Sequence, residues 1–230
     1  MKRGDFKVTA IVVAGGVGNR MNSDIPKQFI DVMGKPIIAY TINSLSKCSL
    51  IDEIIVVTLQ EYLVYMKDVV DAFGFKKVAK IVCGGSSRQE SVYNGLKEVS
   101  DDTDIVAIHD GARPMIDDGV ISECIIAAKE FGCAAVGVKM KDTIKSVDSN
   151  GFIEFTADRE KLWQVQTPQI FKKEIICSLH EKYIENPIST DDCFLAEQDG
   201  YKVKMVEGKY ENIKITTPQD IHIMKGLLGE

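Results

Sequence analysis

The first residues that could bind a ligand or take part in chemistry form a glycine-rich stretch, and two cationic residues follow it. Ala14-Gly15-Gly16-Val17-Gly18 comes directly after an apolar run, and Arg20 and Lys27 come shortly afterwards. Glycines let backbone N–H groups approach phosphate oxygens without interference from a Cβ atom. The two cations add the positive charge that a phosphate needs. We therefore predict a loop that binds a phosphate-bearing ligand, rather than a simple strand-to-helix turn.

Two common phosphate-binding motifs do not fit this stretch. The dinucleotide fingerprint requires Gly-x-Gly-x-x-Gly or Ala, whereas Gly16 and Gly18 are followed by Met21. A Walker loop requires Gly-Lys-Ser/Thr, whereas Lys27 follows Pro26. An NAD-dependent oxidoreductase is therefore disfavoured.

A second glycine pair occurs in the middle of the chain. Gly84 and Gly85 precede Ser87, a typical N-cap residue, and a predicted helix that carries Arg88 and Ser91. Taken alone, this segment could be an ordinary capped helix start.

The segment from His109 to Pro114 is a third polar group, and it contains Asp110 and Arg113. It follows an apolar run of strand length. We interpret His109 as a hydrogen-bonded structural residue rather than a catalytic base.

Strand-like and helix-like patterns alternate along the chain, and the three polar groups follow predicted strands. The predicted strands are 8–14, 53–59, 78–82, 104–108 and 133–138, followed later by 202–206 and 212–216. The predicted helices are 35–47, 61–73, 87–99, 120–131, 172–183 and 190–198, with a last helix from Pro218. This alternation predicts one α/β domain over residues 1–230, a Rossmann-like, mostly parallel sheet with helices on both faces. Ligands bind beyond the carboxyl ends of the strands in such a sheet, so the three polar groups would meet there.

Residues 142–156 interrupt the alternation and predict a projecting β-hairpin arm. Asn150-Gly151 stands at its tip, where both residues tolerate the positive φ of a type I′ turn. Two strands alone are marginally stable in water, so the arm needs a partner surface.

Composition excludes several classes of function. The 230 residues carry a net charge of -6, which argues against a general nucleic-acid binder. No apolar run is long enough to cross a bilayer, and the first one, Val8 to Ala14, reads as a buried strand rather than an export signal. We therefore expect a cytoplasmic protein with no membrane partner. The six cysteines and three histidines lack the spacing of a zinc site, and reduced structural cysteines are expected.

Short motifs distributed over nearly the whole chain carry a family resemblance. They are Ala14-Gly15-Gly16-x-Gly18-x-Arg20-Met21, Pro26-Lys27-Gln28, Gly84-Gly85-x-x-Arg88-x-x-Ser91, His109-Asp110-Gly111-Ala112-Arg113-Pro114, Asp142-Thr143, Asp158-Arg159-x-x-Leu162-Trp163, Gln166-Thr167-Pro168-Gln169, Thr190-Asp191-Asp192 and Asn212-Ile213-Lys214-Ile215-Thr216. In this order and number they resemble the 2-C-methyl-D-erythritol 4-phosphate cytidylyltransferases of the non-mevalonate isoprenoid pathway. Many members have Ala where this chain has Gly15 and Gly111.

The resemblance implies an enzyme that joins CTP to 2-C-methyl-D-erythritol 4-phosphate and releases pyrophosphate. It implies Mg²⁺ as the cofactor, held mainly by the CTP phosphates, with Asp110 a candidate for a metal or hydroxyl contact. The implied catalytic residues are Arg20, Lys27, Arg159 and Lys214. The implied nucleotide-binding residues are Ala14, Gly15, Gly16, Gly18, Gly84, Gly85, Arg88 and Ser91, and those for the second substrate are Asp110, Arg113 and Thr143. Thr190-Asp191 reads as a helix cap.

Besides the disfavoured NAD-dependent oxidoreductase, two alternatives to this function stay open. Ribitol or pentitol phosphate cytidylyltransferases share the double glycine and the Gln-Thr-Pro-Gln segment, but they typically have Val-Arg-Pro in place of Ala112-Arg113-Pro114 and tend to lack the Asp-Arg-x-x-Leu-Trp run. A non-catalytic nucleotide-sensing domain is the other, and the presence of both Arg20 and Lys27 argues against it.

The arm also predicts a homodimer. Thr143 and Arg159 lie at its base, yet the resemblance makes both of them substrate ligands. An arm that crosses to a second copy would bury its apolar side chains and deliver both residues to the partner's site.

Overall fold

The sheet is built on an apolar strand whose alternate side chains enter two separate cores. The computed structural model describes residues 6–16, 25–185 and 191–229. In the strand Val8–Ala14 (β1), Val8, Ala10 and Val12 pack into one core, whereas Ile11 packs into the other. This is the expected pattern for a strand that is covered on both faces.

In the described residues, seven strands form the main sheet, and four short strands form two separate antiparallel pairs. After β1 the strands are β2 (Asp31–Val32), β3 (Lys35–Pro36), β4 (Glu53–Thr58), β5 (Val78–Cys83), β6 (Ile105–Asp110), β7 (Cys133–Lys139), β8 (Lys145–Val147), β9 (Ile153–Thr156), β10 (Trp163–Lys172) and β11 (Lys204–Glu207). The order in the main sheet is β11-β7-β10-β6-β1-β4-β5. All neighbours are parallel except β10, which runs antiparallel to β6 and β7. The mostly parallel α/β sheet is therefore confirmed.

Helices cover both faces of the sheet, as expected. They are α1 (Ile37–Lys47), α2 (Leu63–Phe73), α3 (Arg88–Leu96), α4 (Asp118–Phe131), α5 (Lys173–Tyr183), α6 (Asp192–Gln198) and α7 (Pro218–Leu228). Helices α1, α2 and α4 contribute to the core that contains Val8, whereas α3, α5 and α6 contribute to the core that contains Ile11. Among the described residues, no helix has both the length and the apolar character needed to span a membrane.

The predicted hairpin arm is present, but its tip differs from the prediction. Within the described part of the chain, strands β8 and β9 pair only with each other. Gly151 has a positive φ of 85°, whereas Asn150 does not, so the predicted type I′ turn is wrong. The Asp148 side chain instead accepts hydrogen bonds from the backbone N–H groups of Asn150 and Phe152. A carboxylate that satisfies two loop donors makes the wider loop stable without a second positive φ.

Three other local predictions need correction. Residues 212–216 form no strand, because Ile215 donates its N–H to the carbonyl of Ala112 in a loop rather than to a sheet neighbour. Helix α1 begins at Ile37, because Pro36 precedes it in extended conformation. Strand β10 was not predicted, because its polar residues interrupt the apolar pattern.

Candidate active site

A cleft of about 460 Å³ opens at the carboxyl ends of β1, β5 and β6. The described residues that line it are Val13, Ala14, Gly15, Gly16, Lys27, Gln28, Leu59, Gly85, Ser86, Ser87, Arg88, Ser91, Asp110, Ala112 and Lys214. All three polar groups of the sequence therefore reach one cavity, as the topology of a parallel sheet requires.

The first wall of the cleft is the end of β1 together with the turn that carries Lys27. Buried Gln28 donates its side-chain amide to the carbonyl oxygens of Ala14 and Gly16, at 2.6 and 3.2 Å. Phe29 stacks on Tyr62 with ring centroids 4.6 Å apart. These contacts fasten the turn to the glycine loop on one side and to the segment before α2 on the other.

The second wall is the loop of Gly84 and Gly85, which the start of α3 holds in shape. Ser91 Oγ accepts a hydrogen bond from the Gly85 N–H at 3.0 Å and donates to the Ser87 carbonyl at 2.8 Å. A Cβ atom on Gly84 would lie 2.9 Å from Ser91 Oγ, and one on Gly85 would overlap the Glu90 side chain. This loop is therefore packed so closely that both glycines are needed.

The floor of the cleft is a carboxylate surrounded by three cations. Asp110 Oδ2 lies 2.8 Å from Lys214 Nζ and 3.5 Å from Arg113 Nε, and its Oδ1 lies 3.7 Å from Arg88 Nε. Burial alone would raise the pKa of Asp110, but Lys214, Arg88 and Arg113 outweigh it and hold that pKa well below its usual range. Asp110 is therefore ionised, and it gathers three positive charges at one point.

His109 is a hydrogen-bonded structural residue, in agreement with the interpretation from the sequence. The Arg113 carbonyl can only accept, so His109 Nε2 carries the ring proton and donates to it at 3.1 Å. Nδ1 of the neutral ring then accepts from the Thr167 hydroxyl at 3.1 Å, and Thr167 Oγ1 accepts from the Asp110 N–H at 3.0 Å. Burial lowers the pKa of His109 to about 4, so the ring is neutral at pH 7. Its role is to fix the loop on which Asp110 and Arg113 stand.

A smaller cavity of about 130 Å³ adjoins the cleft, and Arg88, Asp110 and Lys214 line both. The other described residues around it are Arg113, Val165, Gln166, Thr167, Gln169 and Asp191. Arg113 Nη1 donates to the Asn212 carbonyl at 2.9 Å, which ties it to the segment that carries Lys214. Two adjoining cavities with cations on their shared wall can hold two anionic groups side by side.

The structure separates the candidate residues of the sequence into three groups. The first group lines the cleft and consists of Ala14, Gly15, Gly16, Lys27, Gly85, Arg88, Ser91, Asp110 and Lys214. Gly84 directly precedes Gly85 in the chain, and Arg113 lines the adjoining cavity. Thr143 and Arg159 lie elsewhere, exposed at the base of the arm, where Arg159 Nη1 donates to the Lys141 carbonyl at 3.0 Å. Gly18 and Arg20 lie outside the described residues.

Several residues that organise the site belong to the resemblance motifs but were assigned no role in the site by the sequence analysis. Gln166, Thr167 and Gln169 enter from β10, whose pairing with β7 shifts register between Val165 and Gln169. Asn212 donates to Gln166 Oε1 and to the Thr167 carbonyl, each at 3.0 Å. The sequence signal that could have placed these residues in the site is the presence of glutamine and threonine in a segment that ends in an apolar run. Asp191 caps α6 by accepting from the Phe194 N–H, as predicted for that segment, whereas Thr190 lies outside the described residues.

The described residues do not suit a resident Mg²⁺ ion. The described part of the chain has no group of three or more His, Cys, Asp or Glu side chains that could hold a metal. Asp110 faces three cations within 3.7 Å, and a divalent cation there would meet strong repulsion.

Comparison with known proteins gives one family. The model of the 2-C-methyl-D-erythritol 4-phosphate cytidylyltransferase family matches residues 8–230. A protein of that name from Caldanaerobacter subterraneus subsp. tengcongensis is 49% identical over 218 residues, which cover 94% of this chain and 96% of the relative. One from Clostridium botulinum (strain 657 / Type Ba4) is 47% identical over 225 residues, covering 97% and 96%. The crystal structure of 4-diphosphocytidyl-2C-methyl-D-erythritol synthase from Anaerococcus prevotii superposes with a TM-score of 0.87 at 32% identity, covering 98% of this chain and 97% of that one.

Proposed function

The chain belongs to the 2-C-methyl-D-erythritol 4-phosphate cytidylyltransferase family, and from this premise we propose how its cleft carries out the reaction. The enzyme transfers the cytidylyl group of CTP to 2-C-methyl-D-erythritol 4-phosphate and releases pyrophosphate, a step of isoprenoid precursor biosynthesis by the non-mevalonate pathway. The observation that carries the mechanism is the pair of adjoining cavities with Arg88, Asp110 and Lys214 on their common wall.

In this mechanism the larger cleft binds CTP. The triphosphate lies against Gly15, Gly16 and Lys27, and the second substrate places its phosphate near Arg113 and Lys214. That phosphate attacks the α-phosphorus of CTP, and pyrophosphate leaves. Both reactants are strongly anionic, so the main contribution of the protein is to screen their repulsion and stabilise the charge on the phosphorus oxygens.

A phosphate monoester is already ionised at neutral pH, so the attack needs no strong general base. This agrees with the neutral, hydrogen-bonded state of His109. Lys27 is placed to stabilise charge that grows in the transition state, and the resemblance gives Arg20 the same role.

The base of CTP is recognised by the loop of Gly84 and Gly85. Ser91 holds that loop by hydrogen bonds to Gly85 and Ser87, so the backbone groups of the loop keep a fixed arrangement. Cytosine and uracil differ in donor and acceptor at one ring edge, and a rigid set of backbone groups can separate them.

Mg²⁺ enters this scheme as part of the nucleotide substrate. The triphosphate oxygens would hold the ion, which would supply positive charge to offset that of the leaving pyrophosphate. The surrounding cations make Asp110 a partner for Arg88, Arg113 and Lys214 rather than a metal ligand.

The working enzyme, in this proposal, is a homodimer in which each arm completes the partner's site. The arm exposes four large apolar side chains: Val147 at 54%, Phe152 at 72%, Ile153 at 62% and Phe155 at 59%. Burying this surface against a second copy would be favourable by about 25 cal/mol per Å². Thr143 and Arg159, which stand away from their own cleft, would then reach the partner's second-substrate cavity.

A cytosolic location also belongs to the proposal. All six cysteines are free thiols, and four of them are buried. Unpaired cysteines suit a reducing compartment.

The decisive experiment measures pyrophosphate release by the purified protein. We expect release from CTP with 2-C-methyl-D-erythritol 4-phosphate, and much weaker release with UTP, ATP or GTP. Ribitol 5-phosphate serves as the competing acceptor, and a higher kcat/KM with it would overturn the substrate assignment. Equal turnover with ATP would overturn the assignment of the base pocket.

A further inference from the structure

A fully buried aspartate lies behind the wall that the two cavities share. Asp192 has no solvent exposure, and it is absent from the described lining of both cavities. Its Oδ2 accepts a hydrogen bond from Arg88 Nη2 at 2.7 Å, and its Oδ1 accepts one from His180 Nε2 at 3.0 Å. His180 is itself fully buried. Both oxygens of the carboxylate are therefore committed, one to each neighbour.

Arg88 is the residue that this pair controls. Its guanidinium lies between two carboxylates, with Asp192 at 2.7 Å and Asp110 at 3.7 Å. The closer and better aligned contact is with Asp192, so Asp192 decides where the guanidinium sits. A charge-assisted contact between a buried carboxylate and a half-buried guanidinium fixes the geometry of the arginine.

The backbone of the same region supports Asp192 in this position. Gln169 Oε1 accepts hydrogen bonds from the N–H groups of Asp192 and Cys193, at 2.9 and 3.2 Å. Gln169 belongs to β10 and lines the smaller cavity. The start of α6 is thus fastened to the sheet directly behind Arg88.

We propose that Asp192, held by His180, is a positioning residue that fixes the guanidinium of Arg88 at the junction of the nucleotide cleft and the second-substrate cavity. The proposal rests on the proposed cytidylyltransferase function, because it assigns to Arg88 the anionic groups of both reactants. Without Asp192, Arg88 would keep its ion pair with Asp110 at 3.7 Å and the electrostatic attraction of Asp191. Arg88 would then move towards Asp110 and compete with Lys214 and Arg113 for it, so both cavities would be disturbed together.

The variant Asp192→Asn tests this role. Asparagine keeps the volume and can still accept the hydrogen bond of His180 through its amide oxygen, but it loses the charge that holds Arg88. We expect the KM values for both substrates to rise about fivefold or more, with a further fall in kcat. KM does not depend on the fraction of molecules that are folded. A purely structural role would therefore lower the apparent kcat and leave both KM values unchanged, which would overturn the proposal.

A double-mutant cycle with Arg88→Ala identifies the path of the effect. Because Asp192 acts through Arg88, we expect Asp192→Asn to change kcat/KM by less than about threefold in the Arg88→Ala background. An effect as large as in the wild-type background would contradict the proposal. The matched control is Asp199→Asn, at the other end of α6, where Asp199 is exposed and pairs with Lys182. It should keep both KM values.

His180 provides a second route if Asp192→Asn does not fold. His180→Phe keeps a flat side chain in the core but removes the donor to Asp192, and His180→Gln supplies an amide donor in its place. We expect raised KM values for the Phe variant and partial recovery for the Gln variant. Unchanged KM values in the Phe variant would refute the role of the pair. An inactive wild-type protein would instead refute the proposed function, so the two failures are distinguishable.

Discussion

The side-chain amide of Gln28 donates to the carbonyl oxygen of Ala14 at 2.6 Å, and this contact sets the distance between the glycine loop and the turn that carries Lys27. Gln28 is buried, so its hydrogen bonds do not exchange freely with water. The cation beside the phosphate loop is therefore placed by the residue that follows it in sequence. A lysine on a preorganised turn can stabilise transition-state charge without the cost of ordering it during the reaction.

We expect Lys27→Ala to lower kcat about a hundredfold, which corresponds to roughly 3 kcal/mol of lost transition-state stabilisation. The effect on KM for CTP should be smaller, because the glycine loop still binds the triphosphate. Steady-state kinetics with purified protein gives both values. Lys35→Ala, which changes an exposed lysine of β3, is the control and should retain wild-type kcat. A Lys27→Ala variant with wild-type kcat would end this assignment.

Two glycines of the cleft should respond differently to alanine. A Cβ atom on Gly85 overlaps Glu90, whereas one on Gly15 lies 3.4 Å from Ser91 Oγ, at the edge of ordinary contact. We expect Gly85→Ala to raise KM for CTP about tenfold or more, because the displaced Glu90 disturbs the base loop. Gly15→Ala should stay within about threefold of wild type. The reverse order of effects would show that the second glycine loop does not bind the nucleotide.

Mixed dimers test whether each arm serves the partner subunit. Lys27→Ala damages the cleft of its own chain, whereas Arg159→Ala damages the cleft that its arm reaches. Co-refolding equal amounts should recover roughly a quarter of wild-type activity, because half of the dimers are mixed and each has one intact site.

The control for this recovery is each variant refolded alone, which should stay inactive. Subunit exchange is verified separately with one tagged chain. If the chains exchange and the mixture stays inactive, each arm serves its own subunit.

The pH dependence of stability should report the burial of His109. Its pKa is about 4 in the folded protein, below its ordinary value near 6.5. Between these values the unfolded chain binds the proton and the folded protein does not. The stabilisation is therefore fully present above pH 6.5, and about 3 kcal/mol is lost as the pH falls to 4.

Urea unfolding of wild type and His109→Gln at several pH values between 5 and 6.5 measures this contribution. Glutamine retains a donor for the Arg113 carbonyl but does not titrate. We expect the free energy of unfolding of the variant to depend less on pH, by about 1 kcal/mol per pH unit. Identical slopes would mean that His109 does not resist protonation in the folded state.

Removal of Mg²⁺ should abolish turnover without changing the protein alone. Because the described residues do not suit a resident ion, we expect EDTA to stop pyrophosphate release while the melting temperature of the substrate-free protein stays constant. Titration calorimetry should detect Mg²⁺ binding only when CTP is present. Tight binding to the substrate-free protein would place a metal site in the chain itself.

The sequence predicted the parts of the fold that follow simple periodic patterns. Apolar runs such as Val8 to Ala14 and Glu53 to Thr58 are buried strands because both sides of each strand meet apolar helices. Since the carboxyl ends of parallel strands share one edge, Ala14 and Asp110 could be placed in one cleft without knowledge of their distance.

The remaining features depend on contacts between distant residues. Strand β10 contains glutamines and threonine because its first half borders the site, so its composition hides its position in the sheet. The roles of Gln28 and Asp192 follow from hydrogen bonds that no local pattern reports. Lys214 lies in a segment that was predicted to be a strand, because Ile213 and Ile215 alternate with polar residues. In the structure this segment is a loop, and both isoleucines pack against α1 and α7.

The contact between Arg88 and Asp192 joins residues that are 104 positions apart. Closing so large a loop costs chain entropy before any contact compensates for it, and folds rich in such contacts form slowly. Helices form far earlier than long-range pairs of this kind. During refolding, the circular-dichroism signal of the helices should thus return before catalytic activity does. The interval between the two signals measures the time from helix formation to the formation of the long-range contact between Arg88 and Asp192.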